Sequence, residues 1–404
     1  MNNKIKTILA PMMLPIHFEM FEKILIKKGY NLVVLKNSSS TMIEEGLKYV
    51  HNDTCYPALV VIGQIIEALK SGEYDINTTA VTITQTGGGC RASNYLKLLR
   101  KALAKAGFEN VPVLSINMAG LEKDSSISMT IPLVAQLLEA SIYGDLIMHI
   151  SNQVKPYEIN IGETDKVIKK LINYLNNQLI KNKGFRKNRI RKNCEYIVKS
   201  FDSIKKIKKS LVKVGVVGEI FVKYSNVGNN NLEEMLYNEQ CEVRVPGLMG
   251  FINYCVSQRV DQVDLYGGKW YVKFIAKILY NYITKLEKIM NNQIKKYSDF
   301  EEIIPFDETR KIAQEVCGMG IIMGEGWLLA AEMLALCKEG FNNIVCTQPF
   351  GCLPNHIVGK GMIRRIKELY PHANVVSIDY DPSATKVNQE NRIKLMLSIA
   401  REQK

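Results

Sequence analysis

Three cysteines in this chain stand in similar surroundings, each just before a predicted helix. Cys55 precedes Pro57, and proline is favoured in the first turn of a helix because its missing N–H costs nothing there. Cys90 follows three consecutive glycines, and Cys352 follows Gly351. A helix N-terminus is expected to lower the pKa of such a thiol, and the thiolate is the form that binds iron. The pattern predicts three sulfur ligands to one inorganic centre.

The glycines beside two of these cysteines allow three interpretations. They let the backbone approach a bulky cluster and point N–H groups at its sulfides. A triple-glycine turn before a helix can instead bind phosphate, although the GxxxxGK[ST] spacing is missing, or it can be a plain tight turn. The repeated placement of cysteine beside such turns favours the cluster. The candidate cofactor-binding residues are Gly88, Gly89, Gly351 and Arg91, whose guanidinium could pair with cluster charge, a ligand phosphate or a neighbouring carboxylate.

The other cysteines give a weaker signal. The chain has nine cysteines but no CxxC pair, which excludes a zinc ribbon or a ferredoxin-type run. A reducing cytosol would keep these thiols from forming disulfides. Any metal site must therefore collect cysteines from distant segments. Cys346, six residues before Cys352, is a fourth candidate ligand.

Two further residues are candidates for acid–base chemistry. Glu325 lies between two glycines, just before a predicted helix that starts at Trp327. It could serve as a catalytic acid or cap that helix. His356 could hydrogen-bond a cluster sulfide, protonate a leaving hydroxide, or have no catalytic role.

The elements that must position these residues follow an α/β pattern. Short apolar runs of strand length at 5–10, 31–35, 79–84 and 111–116 alternate with helical patterns. A second series of strands is predicted at 213–219, 241–245, 343–347 and 375–379. This alternation predicts the α/β class, with two Rossmann-like parallel-sheet domains and helical segments between them. The predicted domains are 1–124, a basic helical connection at 125–211, and 212–404 with a helical insertion at about 250–315. Because ligands bind outside the carboxyl ends of parallel strands, the three cysteines are expected to meet between the domains.

Composition narrows the class of protein. The 404 residues are 47% hydrophobic and 23% charged, which excludes a disordered chain. No apolar run approaches the ~20 residues that span a bilayer, and the run at 8–16 contains two prolines and lacks a signal-peptide cleavage site. We therefore expect a cytoplasmic protein with no membrane partner.

The net charge of +13 is concentrated in one segment. Residues 181–213 carry thirteen Lys or Arg and two acids, with apolar residues at helical spacing. This spacing favours a solvated helix over a phosphate-binding patch. Aromatic residues do not alternate with the basic ones as in a single-strand binding platform, so no nucleic-acid partner is expected.

Several longer motifs resemble a known family. They include NDTCYP (52–57), QTGGGCR (85–91) followed by NY, GEIFVKY (218–224), GNNNLE (228–233), GEGW (324–327), QPFGCLPNH (348–356), DYDP (379–382) and NQENR (388–392). Together they resemble the 2-hydroxyacyl-CoA dehydratase-related family, in the branch close to the C-terminal region of acyl-CoA dehydratase activases. The resemblance covers the whole chain except the basic helical segment.

This resemblance implies an oxygen-sensitive iron–sulfur protein of anaerobic metabolism. Relatives hold a 4Fe–4S cluster or a double-cubane cluster, and an ATP-hydrolysing iron–sulfur activase supplies a low-potential electron. The implied reaction is a lyase-type radical dehydration of a CoA ester, or a reduction by a double-cubane reductase. The implied ligands are Cys55, Cys90 and Cys352, with Cys346 as a fourth candidate. A double cubane would need six cysteines, and the others lack motif support, which favours a single cubane or a cluster completed by a partner.

Two alternatives to a catalytic subunit stay open. The chain could be a non-catalytic accessory or scaffold protein of the activase and dehydratase system. It could also be an α/β binding protein whose cysteines take zinc. The expected partners are the activase, a second dehydratase-like subunit or a second copy of the chain, and a small CoA ester. The sequence lacks a Walker A motif and a GxGxxG turn, so neither the ATPase itself nor a nicotinamide dehydrogenase is expected.

Overall fold

The first half of the chain builds a four-stranded parallel sheet. A computed structural model describes residues 5–51, 53–84, 89–116, 127, 129–181 and 185–402. The elements of this half are β1 (Thr7–Ala10), α1 (Pro15–Lys27), β2 (Leu32–Val34), α2 (Ser40–Tyr49), α3 (Tyr56–Lys70), β3 (Thr79–Thr84), α4 (Tyr95–Lys105) and β4 (Val113–Ile116). The strand order is β2-β1-β3-β4, with a register that pairs Ile8 with Leu32 and with Ala80.

Three long helices follow this sheet. They are α5 (Ile131–Val154), α6 (Glu163–Ile180) and α7 (Lys187–Asp202). Among the described residues, the stretch Ile131–Tyr157 is the one helical segment long and apolar enough to cross a membrane, and 78% of its most apolar window is buried inside the protein. Its burial among α1, α6, α7 and the second half of the chain makes α5 a central core helix of a soluble fold.

The second half builds another parallel sheet with the same order. Its elements are β5 (Val212–Gly218), α8 (Ile220–Tyr224), α9 (Leu232–Asn238), β6 (Cys241–Arg244), α10 (Leu248–Tyr266), α11 (Trp270–Tyr297), α12 (Phe306–Gln314), α13 (Trp327–Lys338), β7 (Asn343–Pro349), α14 (Ile363–Leu369), β8 (Asn374–Tyr380) and α15 (Lys386–Glu402). The strands run in the order β6-β5-β7-β8. In both sheets the first strand therefore lies between the second and the third. The predicted α/β class with two parallel sheets is confirmed.

The two halves share a hydrophobic core. One cluster of buried side chains contains Leu9 and Val81 from the first sheet together with Val214 and Val345 from the second. Side chains of α3 belong to the same cluster, among them Tyr56, the residue after Cys55. The sheets are therefore held against each other by apolar burial, and the ends of their strands are fixed relative to one another.

A buried pair joins three helices next to this core. His17 Nε2 lies 2.8 Å from Asp145 Oδ1, and both side chains are almost completely buried. The carboxylate of Asp145 also accepts the backbone N–H groups of Leu248 and Met249, each at 2.8 Å, so it caps α10. His17 is a packing residue that, through Asp145, connects α1 to α5 and α10.

Glycine is required where α1 crosses α5. A Cβ added to Gly144 would lie 2.4 Å from the His17 ring, closer than any Cβ contact tolerates. We expect Gly144→Ala to lower the free energy of unfolding by about 2–4 kcal/mol, because His17 and the cap of α10 must shift. Gly250→Ala is the matched control, since a Cβ there meets nothing within 4 Å and alanine suits α10. Urea denaturation measures both, and equal stability of the two variants would contradict the prediction.

His149 gives the protein a defined response to acid. Its Nε2 donates to the backbone carbonyl of Glu301 at 2.6 Å, and burial, followed by the Arg244 charge, lowers its pKa to about 3. The unfolded chain takes up this proton near pH 6.5, so the stability due to His149 is present above pH 6.5 and is lost as pH falls. Below pH 6.5, wild type should lose about 1.4 kcal/mol per pH unit relative to His149→Gln.

The comparison with the variant is necessary because other buried groups act in the opposite direction. Burial raises the pKa values of Glu287 and Glu339 to about 7, so their contribution to stability increases as pH falls from 7. Urea unfolding of both proteins at pH 7, 6 and 5 isolates the His149 contribution. Parallel pH profiles for wild type and His149→Gln would contradict it.

Candidate functional site

Two of the candidate cysteines occupy equivalent places in the two sheets. Cys90 follows β3 and Cys352 follows β7, and each of these is the third strand of its sheet. The third strand lies beside the first, where the strand order reverses and where open α/β sheets form their ligand crevice. Sequence position and topology thus bring both thiols to a binding edge.

All three cysteines begin a helical segment, as their surroundings in the sequence predict. Cys55 is the N-cap of α3, and Cys90 is the N-cap of a short 3₁₀ turn at Arg91–Asn94. The carbonyl of Cys352 accepts the His356 N–H at 3.0 Å, at the start of a helical segment that includes one turn of π-helix, Asn355–Gly359. π-Helical turns are frequent at functional sites.

The acidity of these thiols differs from the expectation. A first-turn backbone amide favours the thiolate form of each cysteine, but burial is the larger effect. Burial raises the pKa of Cys55 above its usual value, that of Cys90 to about 11 and that of Cys352 to about 12. The prediction that the helix N-termini lower the pKa of these three thiols is therefore wrong for the protein without a bound group. A ligand that takes these thiols as thiolates must displace their protons.

Side chains around the cysteines hold them in place. The Tyr95 hydroxyl lies 2.8 Å from Cys55 Sγ, and the Asn355 amide donates to Cys352 Sγ at 3.3 Å. Arg91 donates to the backbone carbonyl of Asp53 at 2.6 Å, which ties the Cys90 loop to the Cys55 loop. Arg91 thus positions the site, and its charge also lowers the pKa of Cys55.

The three cysteines lie within electrostatic range of a pair of carboxyl groups. The charge of Glu219 raises the pKa of Cys55, Cys90 and Cys352, and the charge of Glu325 acts on the last two. Cys55 and Cys90 also lie within electrostatic range of each other. Charges act strongly only over short distances, so thiols from both halves of the chain lie near the same carboxyl pair.

Glu219 and Glu325 are both anchored at the start of α8. Glu219 accepts the Val222 N–H at 2.8 Å, and Glu325 accepts the Ile220 N–H at 3.0 Å. Burial, followed by the charge of Glu325, raises the pKa of Glu219, and burial also raises the pKa of Glu325. Two such carboxyls so close together retain a proton that an exposed pair would release. Of the two roles predicted for Glu325, the cap of the helix at Trp327 is not observed, because its side chain caps α8. The acid–base role stays a prediction.

Glu219 was missed as a site residue, although the sequence carries a signal for it. It directly follows β5, beside Gly218, at the position where the strand order reverses. A Cβ at Gly218, which has φ +146°, would lie 1.9 Å from the Thr347 carbonyl oxygen. Glycine therefore brings the end of β5 against β7 and places Glu219 between the two sheets.

A buried ion pair lies beneath these carboxyls. Lys223 Nζ contacts both carboxylate oxygens of Glu332 at 3.1 Å, and both side chains are almost completely buried. The Lys223 charge lowers the pKa of Glu219 and of Glu325, in opposition to burial. It is a cation fixed next to the carboxyl pair, and the sequence patterns did not single it out.

His356 supports the loop that carries Cys352. The Gly351 N–H donates to His356 Nε2 at 3.2 Å, so this nitrogen acts as an acceptor. Gly351 has φ +69°, which favours glycine and turns the loop back onto the histidine. His356 Nε2 also lies 4.0 Å from Asp379 Oδ1. The geometry makes His356 a positioning residue for the loop.

The remaining candidates have less direct links to this group: Gly89 precedes Cys90, and burial, with a smaller effect of the Cys352 charge, raises the pKa of Cys346. Cys346 is completely buried in an apolar cluster, and a Cβ added to Gly359 would lie 3.3 Å from its Sγ. Gly89 is exposed, and a Cβ there would meet Met323 Sδ at 2.8 Å, so glycine allows the two halves to come close. Gly88 lies outside the described residues.

The three thiols are soft donors of the kind that bind iron or zinc. Within the described ranges, no three His, Cys, Asp or Glu side chains lie close enough together to hold one metal ion. The cysteines of a cluster bind different iron atoms and so stand further apart than the ligands of one ion. Cys55, Cys90 and Cys352 come from separate segments, and each lies at the start of a helical segment.

Comparisons with known proteins do not add to this description. No protein-family model matches the chain, and no curated protein matches it.

Proposed function

We propose that this chain is an iron–sulfur protein and that Cys55, Cys90 and Cys352 hold one cluster between its two halves. The observation that carries the proposal is the convergence of three helix-capping thiols on the Glu219–Glu325 pair. Such a cluster supplies electron transfer at low potential. The residues of the chain provide sulfur ligands, neighbouring N–H groups and a water-poor pocket.

The proposed reaction is dehydration or reduction of a small CoA-ester-like substrate in the cytoplasm. The electron would come from a separate ATP-hydrolysing iron–sulfur activase. This is the electron donor that the resemblance to the 2-hydroxyacyl-CoA dehydratase-related family implies. The Glu219–Glu325 pair supports this role because a carboxyl group that stays protonated near neutral pH can donate a proton to a leaving hydroxide.

The rim of the site supports docking of a protein partner. Large apolar side chains next to Cys352 are more than half exposed, namely Met323, Phe350, Leu353 and Ile357. An apolar rim around a buried centre is typical of a surface that another protein covers during electron transfer. The same rim favours the second candidate function, an accessory protein that binds a partner without turnover.

Iron and sulfide analysis of anaerobically prepared protein tests the proposal. We expect about four irons and four sulfides per chain, with the absorption and electron paramagnetic resonance of one 4Fe–4S cluster. Protein that stays free of iron after reconstitution, or that binds stoichiometric zinc instead, would refute it. A cluster that accepts an electron from an activase without dehydrating or reducing a CoA ester would favour the accessory role.

A further inference from the structure

The N-terminal third of α11 has two apolar faces. This helix packs against α10, and along it Ala276 is buried while Val272 and Leu279 are half-buried. Around the same turns and in the end of α10, other large apolar side chains are 55–75% exposed. These residues, here called the tip stripe, are Leu265, Tyr266, Trp270, Phe274, Ile275 and Ile278. A helix that is apolar on both faces is normally covered on both.

The tip stripe ends abruptly. The same face of α11 continues with Asn281, Lys285 and Lys288, all of them exposed and polar. Gly267 and Gly268, which have positive φ values, connect α10 to α11 and join the two parts of the stripe. An apolar centre with a polar boundary is the composition of a protein interface.

The area of the tip stripe fits one side of such an interface. Three exposed aromatic and three exposed aliphatic side chains present on the order of 800 Å², since an aromatic side chain alone can bury 150–250 Å². This is about the area that each partner contributes to a standard interface. It exceeds the largest apolar patch of a typical monomer, which is about 300–600 Å².

The charge around the stripe indicates the occupant. Residues 261–278 carry three Lys and two Asp, in a chain whose net charge is +13. Lys273 pairs with Asp264, and Asp261 pairs with Arg310 at 2.8 Å. The local net charge is therefore close to zero, so two copies of this basic chain repel each other only weakly at the hairpin end, whereas a polyanion would be drawn to more basic surfaces.

We propose that the tip stripe is the contact between two copies of this chain. In a two-fold arrangement, the α10–α11 hairpin of one copy lies against the same hairpin of the other. The four helices then form a bundle, and the stripe of each copy covers that of its partner. None of the six stripe residues is a proposed ligand, so dimerisation can be measured with or without a bound cluster.

Sedimentation velocity under reducing conditions tests this proposal. Wild type is expected to sediment as a dimer at micromolar concentration, and Phe274→Glu should weaken dimerisation about 100-fold or more, because a charge would enter the centre of the contact. Lys285→Glu, on the same face beyond the stripe, is the matched control and should remain dimeric. Phe274 is mostly exposed, so the circular dichroism and urea midpoint of Phe274→Glu should equal those of wild type.

Tryptophan fluorescence provides a second measurement. The chain has two tryptophans, of which Trp327 is completely buried and Trp270 is 75% exposed in one copy. Dilution of wild type should shift the Trp270 emission to the red, and the emission of Phe274→Glu should be red-shifted at all concentrations. A monomeric wild type, including one that binds lipid vesicles through the stripe, overturns the proposal. Undiminished dimerisation of Phe274→Glu also overturns it.

Discussion

Replacing Cys55, Cys90 or Cys352 with serine, one at a time, is expected to reduce the iron content from about four to below one per chain. A serine oxygen is a poor ligand for iron–sulfur clusters, and three ligands leave no spare donor. Iron and sulfide analysis after anaerobic reconstitution measures the effect. Circular dichroism shows whether each variant is folded, so that loss of iron is separated from loss of structure.

Two other cysteines serve as controls for this result. Cys317→Ser changes a cysteine outside the proposed ligand set and should leave the iron content unchanged. Cys346→Ala tests whether Cys346 is a fourth ligand, and its position in the apolar core predicts full iron content with a modest loss of stability. Equal iron loss in Cys317→Ser and Cys90→Ser would contradict the assignment of ligands.

Removing the positive charge of Lys223 is expected to destabilise the fold strongly. Lys223→Met leaves the carboxylate of Glu332 buried without its partner, and it should lower the free energy of unfolding by about 3–5 kcal/mol. Denaturant unfolding of the metal-free protein measures this loss at pH 7. The ion pair lies below the cysteines, so the measurement does not depend on a bound cluster.

A double variant separates the pair from its surroundings. Lys223→Met combined with Glu332→Leu replaces both charges with apolar groups and should recover most of the lost stability. Glu332 lines a cavity of about 90 Å³, which gives the new side chain room to repack. If the double variant is as unstable as Lys223→Met alone, the cost arises from packing and the prediction is wrong.

Local patterns in the sequence were sufficient to predict where the strands lie and that the three cysteines precede helical segments. The β-branched run at 79–84 is observed as β3 with the same bounds, and the predicted helix at Trp327 begins there. The helix α10 lies within the helical insertion predicted at about 250–315, but its own bounds had no such pattern. Its inward face carries the buried polar residues Asn253, Ser257 and Asp261, so no apolar repeat marks it as a helix.

The electrostatics of the site depend on contacts between distant segments. Glu325 accepts the N–H of Ile220, which lies 105 residues away in the sequence, and Lys223 lies 109 residues from its partner Glu332. Sequence spacing carries no signal for such pairs. The same reason explains the acidity of the thiols, since a helix N-terminus can be located from sequence but the depth of burial cannot.

The identical strand order of the two sheets has a consequence for how the protein responds to mechanical or proteolytic stress. Each half brings its third strand to the seam, and the sulfurs proposed as ligands belong to both halves. In the cluster-bound protein, binding of the cluster would then also stabilise the association of the two halves, because separating them would break Fe–S bonds. The loaded protein should survive limited digestion as one resistant fragment, whereas the iron-free protein should be cleaved first at the seam.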